Sequence, residues 1–197
     1  MHACTARKYL LTIAPALAIW LAFPQLLCAQ GLDEAKALKV KAAYLYNFAK
    51  FVHWPGDTLN SDSEGFVICV LGADPFGVIL DETVRTKTIA GHAVHVRRWN
   101  WEKNGVHDAL AGCHVLFISE SEQHRLNEVL AAIQGHPVLV VADMRNFARN
   151  GGMIGLVLEK GRIVFEINTE SLERAKLKAS SKLLKLARIV RSKSRSG

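Results

Sequence analysis

The sequence predicts an α/β fold: one mostly parallel, doubly wound sheet with helices on both faces, a C-terminal β-hairpin at its edge, and long first and last helices packed together. Three observations carry this. The runs Phe66–Leu71, Cys113–Ser119 and Pro137–Ala142 are almost wholly apolar, as strands of a parallel sheet buried on both faces must be. Helical patterns separate these runs, which is the order of βαβ units. Amphipathic stretches of helical period open and close the region that follows the N-terminus.

The N-terminus has the layout of a secretory signal peptide. Arg7-Lys8 precede an uncharged apolar run from Tyr9 to Leu27, and Cys28-Ala29 supply small residues at the end. Cleavage after Ala29 fits best, although Leu27 suits the −3 position poorly; an uncleaved anchor and a lipid anchor on Cys28 are the alternatives. Removing residues 1–29 leaves 168 residues, 30–190 as one domain and 191–197 as a basic, disordered tail. A domain of that size buries ~70% of its unfolded surface. The formal charge falls from +7 to +5 with the signal, and Arg191, Lys193 and Arg195 carry three of those five. The basic balance thus belongs largely to a tail, and nothing points to a nucleic-acid groove.

In the first helix, from about Glu34 to His53 behind an N-cap at Asp33, two apolar stripes adjoin. Leu38, Ala42, Leu45, Ala49 and Val52 form one; Tyr44, Phe48 and Phe51 form the other. Together they exceed the ~100° that an ordinary surface helix buries, so the helix is expected to lie between other elements. Pro55 ends it. The polar stretch Gly56 to Gly65 reads as an exposed loop. After the strand at 66–71, Asp74 fits an N-cap and Pro75 a first helical position, with Phe76, Ile79 and Leu80 facing inward to about Thr83. Residues 93–99 alternate as a second strand. After the strand at 113–119, Ser119 and Glu122 match a capping box opening a helix that Gly135 closes. The strand at 137–142 follows. Gly151-Gly152 mark a turn, and Met153–Leu158 with Arg162–Ile167 form a hairpin joined at Glu159-Lys160-Gly161. The last helix is read from about Glu170 to Val190, with Leu172, Ala175, Ala179, Leu183, Leu186 and Val190 as its stripe.

Several of these stretches together resemble one family. They are K-A-A-Y-L-Y-N-F-A-K-F-V-H-W-P at 41–55, I-C-V-L-G-x-D-P-F at 68–76, C-H-V-L-F-I-S at 113–119, G-G-M-I at 151–154, I-N at 167–168 and S-S-K-L-L at 180–184. The pattern, spanning about residues 36–190, resembles the YfiR family of periplasmic regulatory proteins. The resemblance implies a repressor that engages the periplasmic sensor region of an inner-membrane diguanylate cyclase, holding down cyclic di-GMP synthesis and biofilm formation. It further implies sequestration by an outer-membrane lipoprotein, a homodimer and a redox input. Some relatives carry a second cysteine pair near the segment corresponding to 143–153; this chain has none there.

Export of the chain bears on its thiols. Cys4 and Cys28 leave with the signal, so the mature chain keeps Cys69 and Cys113. Two cysteines in an exported chain are most simply a disulfide, here Cys69–Cys113; two buried free thiols are the alternative.

No assembled catalytic set is visible. There is no G-x-G-x-x-G, P-loop or G-x-S-x-G. Cys113 begins an apolar strand, a poor setting for a thiol nucleophile. His92 and His95 fall on opposite faces of a strand, a poor start for a metal site. The chain is therefore read as a non-enzyme without cofactor or metal. Arg97, Arg98, Trp99 and Trp101 offer guanidinium groups beside aromatic rings as a partner or ligand surface, against the plainer reading that the rings cap the core edge. In a second class of function, a small-molecule binding module would hold its ligand at the carboxyl ends of the parallel strands, lined by Phe76, Ser121 and Phe147.

Overall fold

The computed structural model describes residues 34–56, 58, 65–100 and 112–192. The signal segment, Trp101 and the tail from Lys193 lie outside the described residues. Contacts divide the chain into residues 1–37 and 38–197. Residues 34–37 open a helix that continues to residue 51, and the second unit carries the sheet.

The elements in order are α1 (34–51), β1 (Val52–His53), β2 (Phe66–Leu71), α2 (Val78–Val84), β3 (Thr88–Ile89), β4 (His92–Trp99), β5 (Val115–Ile118), α3 (Leu126–Ala132), β6 (Leu139–Ala142), β7 (Ile154–Glu159), β8 (Arg162–Asn168), α4 (Thr169–Arg174), β9 (Lys178–Ala179), α5 (Ser181–Leu186) and β10 (Arg188–Val190). Eight strands make the main sheet in the order β10-β8-β7-β6-β5-β2-β4-β3. Strands β4, β2, β5, β6 and β7 run parallel, with β2 paired to both β4 and β5. The winding direction thus reverses at β2, the topological switch point of a doubly wound sheet.

The three apolar runs occupy the centre of this sheet, and every residue of β2, β5 and β6 is buried. One face of α1 is equally enclosed: Ala42, Leu45, Phe48 and Ala49 are at most 1% exposed. Tyr44 stacks on Phe48, and both rings meet Phe165 of β8 edge-on at 5.3 and 5.0 Å. Such pairs add about 0.5–1.5 kcal/mol each beyond burial. Lys41 reaches Asp143 at the end of β6 with a 2.5 Å ion pair, fixing α1 to the carboxyl edge of the sheet.

Three sequence expectations require correction. The single helix from Glu170 to Val190 is instead α4, β9, α5 and β10. Lys176 adopts φ 58°, which no helix interior permits. Lys178–Ala179 then pair with Val52–His53, and Ser180 caps a new helix by accepting from the Leu183 N–H. Ala187 turns extended, and Arg188–Val190 join the sheet parallel to β8. The apparent stripe therefore breaks: Leu172 and Leu183 are buried, whereas Leu186 is 77% exposed.

The second correction follows from the first. Strands β7 and β8 pair antiparallel through a two-residue turn at Lys160-Gly161, both at positive φ as a primed hairpin turn requires. Because β10 lies beyond β8, the hairpin is not the rim of the sheet.

The third concerns helix starts. Asp74 caps a turn, accepting from the Phe76 N–H at 2.8 Å, and α2 begins later, at Val78. Ser119 makes no side-chain cap bond; a 3-10 turn, Glu120–Arg125, intervenes before α3.

Candidate functional site

The switch point is where this architecture ordinarily binds small molecules. Here side chains of the turn after β5 approach the end of β2 closely. Gly72 leaves β2 at φ 89°, and a Cβ there would lie 2.4 Å from Ser121 Oγ and 2.7 Å from Glu122 Oε1. Ser121 Oγ accepts from the Ala73 N–H at 3.0 Å and donates to Glu122 Oε1 at 3.3 Å. Glu122 is 7% exposed, with Arg125 Nε 3.3 Å from its other oxygen.

Of the three residues expected to line a ligand there, Phe76 and Phe147 are buried in the core and Ser121 is exposed. Phe76 is buried edge-on against Phe117, with ring centroids 4.8 Å apart. Phe147 is buried beneath the Gly151–Gly152 turn, where a Cβ on Gly152 would meet its ring at 2.3 Å. Gly152 donates its N–H to the Phe147 carbonyl at 3.0 Å, so the G-G-M-I motif is a seat for this ring.

Arg98 is committed to the fold. Its Nε donates to Asp74 Oδ2 at 2.6 Å, Nη1 to Asp81 Oδ1 at 3.1 Å and Nη2 to the Gly77 carbonyl at 2.8 Å; Nη2 also pairs with Asp81 Oδ2. This fork ties β4 to the start of α2. The hydrogen bond from Arg98 holds the Asp81 carboxyl below its ordinary pKa, and the same bond raises that of Arg98. Trp99 packs half-buried against the core, its indole N–H without a hydrogen-bond partner among the described residues. Arg97 is half-buried on β4.

Cys69 and Cys113 form a disulfide with Cα atoms 6.1 Å apart, joining positions 44 residues apart in sequence. Both are buried. The adjacent His114 stacks on Phe66 at 4.6 Å, its Nδ1 accepting from the Val67 N–H and its Nε2 lying 3.3 Å from the Thr58 carbonyl. The network fixes the neutral tautomer with Nε2 as donor. Burial lowers the pKa of this ring. Among the described residues no three His, Cys, Asp or Glu side chains are grouped to hold a metal ion.

The I-N and S-S-K-L-L motifs prove architectural too. Asn168 is fully buried; its Oδ1 accepts from the Ser171 N–H to cap α4, and its Nδ2 donates to the Ala148 carbonyl and Ser192 Oγ. Ser180 caps α5.

One accessible feature escaped sequence reasoning. An open groove of about 830 Å³ runs between α3, the segment after β6, and α4. Arg145, Arg149 and Arg174 line it beside half-buried Leu126 and Leu130, and no carboxylate does. Arg145 and Arg149 come from the segment after β6 and Arg174 from α4, so no single local motif announces it. A smaller groove of about 560 Å³ adjoins it across Arg145 and Arg149 and includes Glu159, Glu166 and Arg188.

Comparison with known families adds to this geometry. The model for YfiR/HmsC-like proteins matches residues 38–188, which take in the whole main sheet except the last two residues of β10. Over three quarters of the chain is covered, and the chain belongs to the YfiR/HmsC-like family.

Proposed function

We propose that this protein is a periplasmic, non-enzymatic regulator. It binds the periplasmic sensor region of an inner-membrane diguanylate cyclase and represses the enzyme, lowering cyclic di-GMP signalling and biofilm formation. The observation that carries this reading is family membership over residues 38–188. Two structural features agree with it. At the switch point, the customary ligand site, Ser121 and Glu122 pack closely against Gly72. The family-like motifs serve packing, capping and the disulfide, which leaves recognition to the remaining surface.

In this reading residues 1–29 direct export and are cleaved, 30–190 form the regulatory domain, and 191–197 are a tail. No described helix is long and apolar enough to cross a membrane. An outer-membrane lipoprotein would act as antagonist by competing for the repressor, and a homodimer would be its resting form. Repression requires only that the protein bind one conformation of the sensor more tightly than the other; a tenfold shift corresponds to about 1.4 kcal/mol of differential affinity.

The test is a titration of the purified protein, oxidised and reduced, against the isolated periplasmic domain of a diguanylate cyclase encoded beside it. Saturable binding at micromolar or tighter affinity is expected. Absence of binding in both redox states would remove the reading.

A further inference from the structure

We infer that the arginine-lined groove between α3 and α4 is a docking surface for an acidic segment of a protein partner, with apolar residues interspersed among its carboxylates; the inference rests on the regulatory reading above. Three guanidinium groups converge there without a lining carboxylate. They differ in how far the fold has already used them. Arg149 donates to Glu166 Oε1 at 3.0 Å, and Glu166 is 5% exposed. Arg174 donates one N–H to Ser171 Oγ at 2.8 Å, and that hydroxyl donates onward to the Gly151 carbonyl at 3.0 Å. This bond holds the Arg174 side chain while its other N–H groups stay uncommitted among the described residues. Arg145 is exposed and has no ion pair among the described residues.

The groove thus offers one partly neutralised and two unneutralised guanidinium forks. Planar forks of this kind match carboxylates bidentately. Half-buried Leu126 and Leu130 of α3 also line the groove, together with the amide side chains of Gln123, Asn127 and Gln134.

The shape selects the occupant. A pocket for a small molecule encloses most of its ligand's surface. This groove is open, and its lining mixes guanidinium groups with apolar and amide side chains. An extended or helical peptide segment that carries carboxylates with apolar residues between them complements that mixture.

The experiment compares Arg145→Glu/Arg174→Glu with Lys182→Glu/Lys185→Glu, which makes the same charge change on the exposed face of α5. Each is titrated against the cyclase's periplasmic domain at two ionic strengths. The groove variant is expected to bind at least tenfold more weakly and to lose most of the salt dependence, while the α5 variant binds as wild type. Arg145→Glu alone, which removes no intramolecular bond, is expected to show roughly half the logarithmic loss and keeps the test free of folding defects. Wild-type binding with an unaffected groove variant would overturn this inference and leave the regulatory reading standing. Equal losses in both variants would also overturn it, since they would reflect net charge. No binding by wild type would defeat the regulatory reading, and the docking inference with it.

Discussion

Substituting Gly152 by alanine isolates one contact of the fold. A Cβ at this position would lie 2.3, 2.5 and 2.5 Å from three ring carbons of Phe147. That is about 1 Å inside ordinary van der Waals contact, and Phe147, only 1% exposed, has nowhere to swing. Relaxation spreads the overlap through the neighbouring core, so the expected cost is that of an overpacked interior, about 2–3 kcal/mol. For a chain of this size the melting temperature should fall by roughly 4–12 °C. Gly151→Ala provides the contrast. Its neighbour space is empty, but its φ of 102° penalises any side chain, so about 1 kcal/mol should be lost through backbone strain. The mechanism also predicts coupling. Phe147→Leu should cost about 1–2 kcal/mol alone, yet less in the Gly152→Ala background, where the smaller side chain relieves the clash. Calorimetric or circular-dichroism melts of wild type and the four variants suffice. A Gly152→Ala variant melting with wild type, or costs that simply add, would refute the account of this motif.

Reduction of Cys69–Cys113, which closes a loop of 44 residues, should lower stability by about 4 kcal/mol, a shift of roughly 2 M in the urea midpoint; mass spectrometry after alkylation of unreduced periplasmic protein should find both cysteines protected. His114 has a folded pKa below the ordinary 6.5, chiefly from burial. The unfolded chain therefore takes up the proton first, so stability is fully present above about pH 6.5 and declines as the pH falls below it; in His114→Asn the slope between about pH 6.5 and 5.5 should flatten. Arg98→Ala should cost about 1 kcal/mol by releasing α2 from β4, since the pair is partly exposed, and should leave partner affinity unchanged because this guanidinium is already engaged.

How much of this was legible in the sequence depended on how local the cause was. Strands β2, β5 and β6 announced themselves because burial on both faces demands unbroken apolar runs. The enclosed face of α1 was legible from its double stripe. The last helix was misread because Leu172, Ala175, Ala179 and Leu183 keep helical spacing by coincidence, while the break at Lys176 is a positive φ on a residue that carries no such signal. The pairings β1–β9 and β8–β10 are non-local and decide those segments against their helical pattern. Surface function was the least legible. Arg98 looked available until the parallel pairing of β4 with β2 brought Asp74 and Asp81 beside it. Arg145 and Arg149 are far from Arg174 in sequence, and only the fold brings the three to one groove.

The measurement that reaches the central claim most directly is cyclase turnover. Membranes carrying the full-length diguanylate cyclase, with its periplasmic face accessible, would be assayed for cyclic di-GMP formation from GTP as the purified protein is added. A saturable fall in the rate is expected, at concentrations matching the binding curve, with recovery when the groove variant replaces wild type. An unchanged rate at saturating occupancy of the sensor would contradict repression.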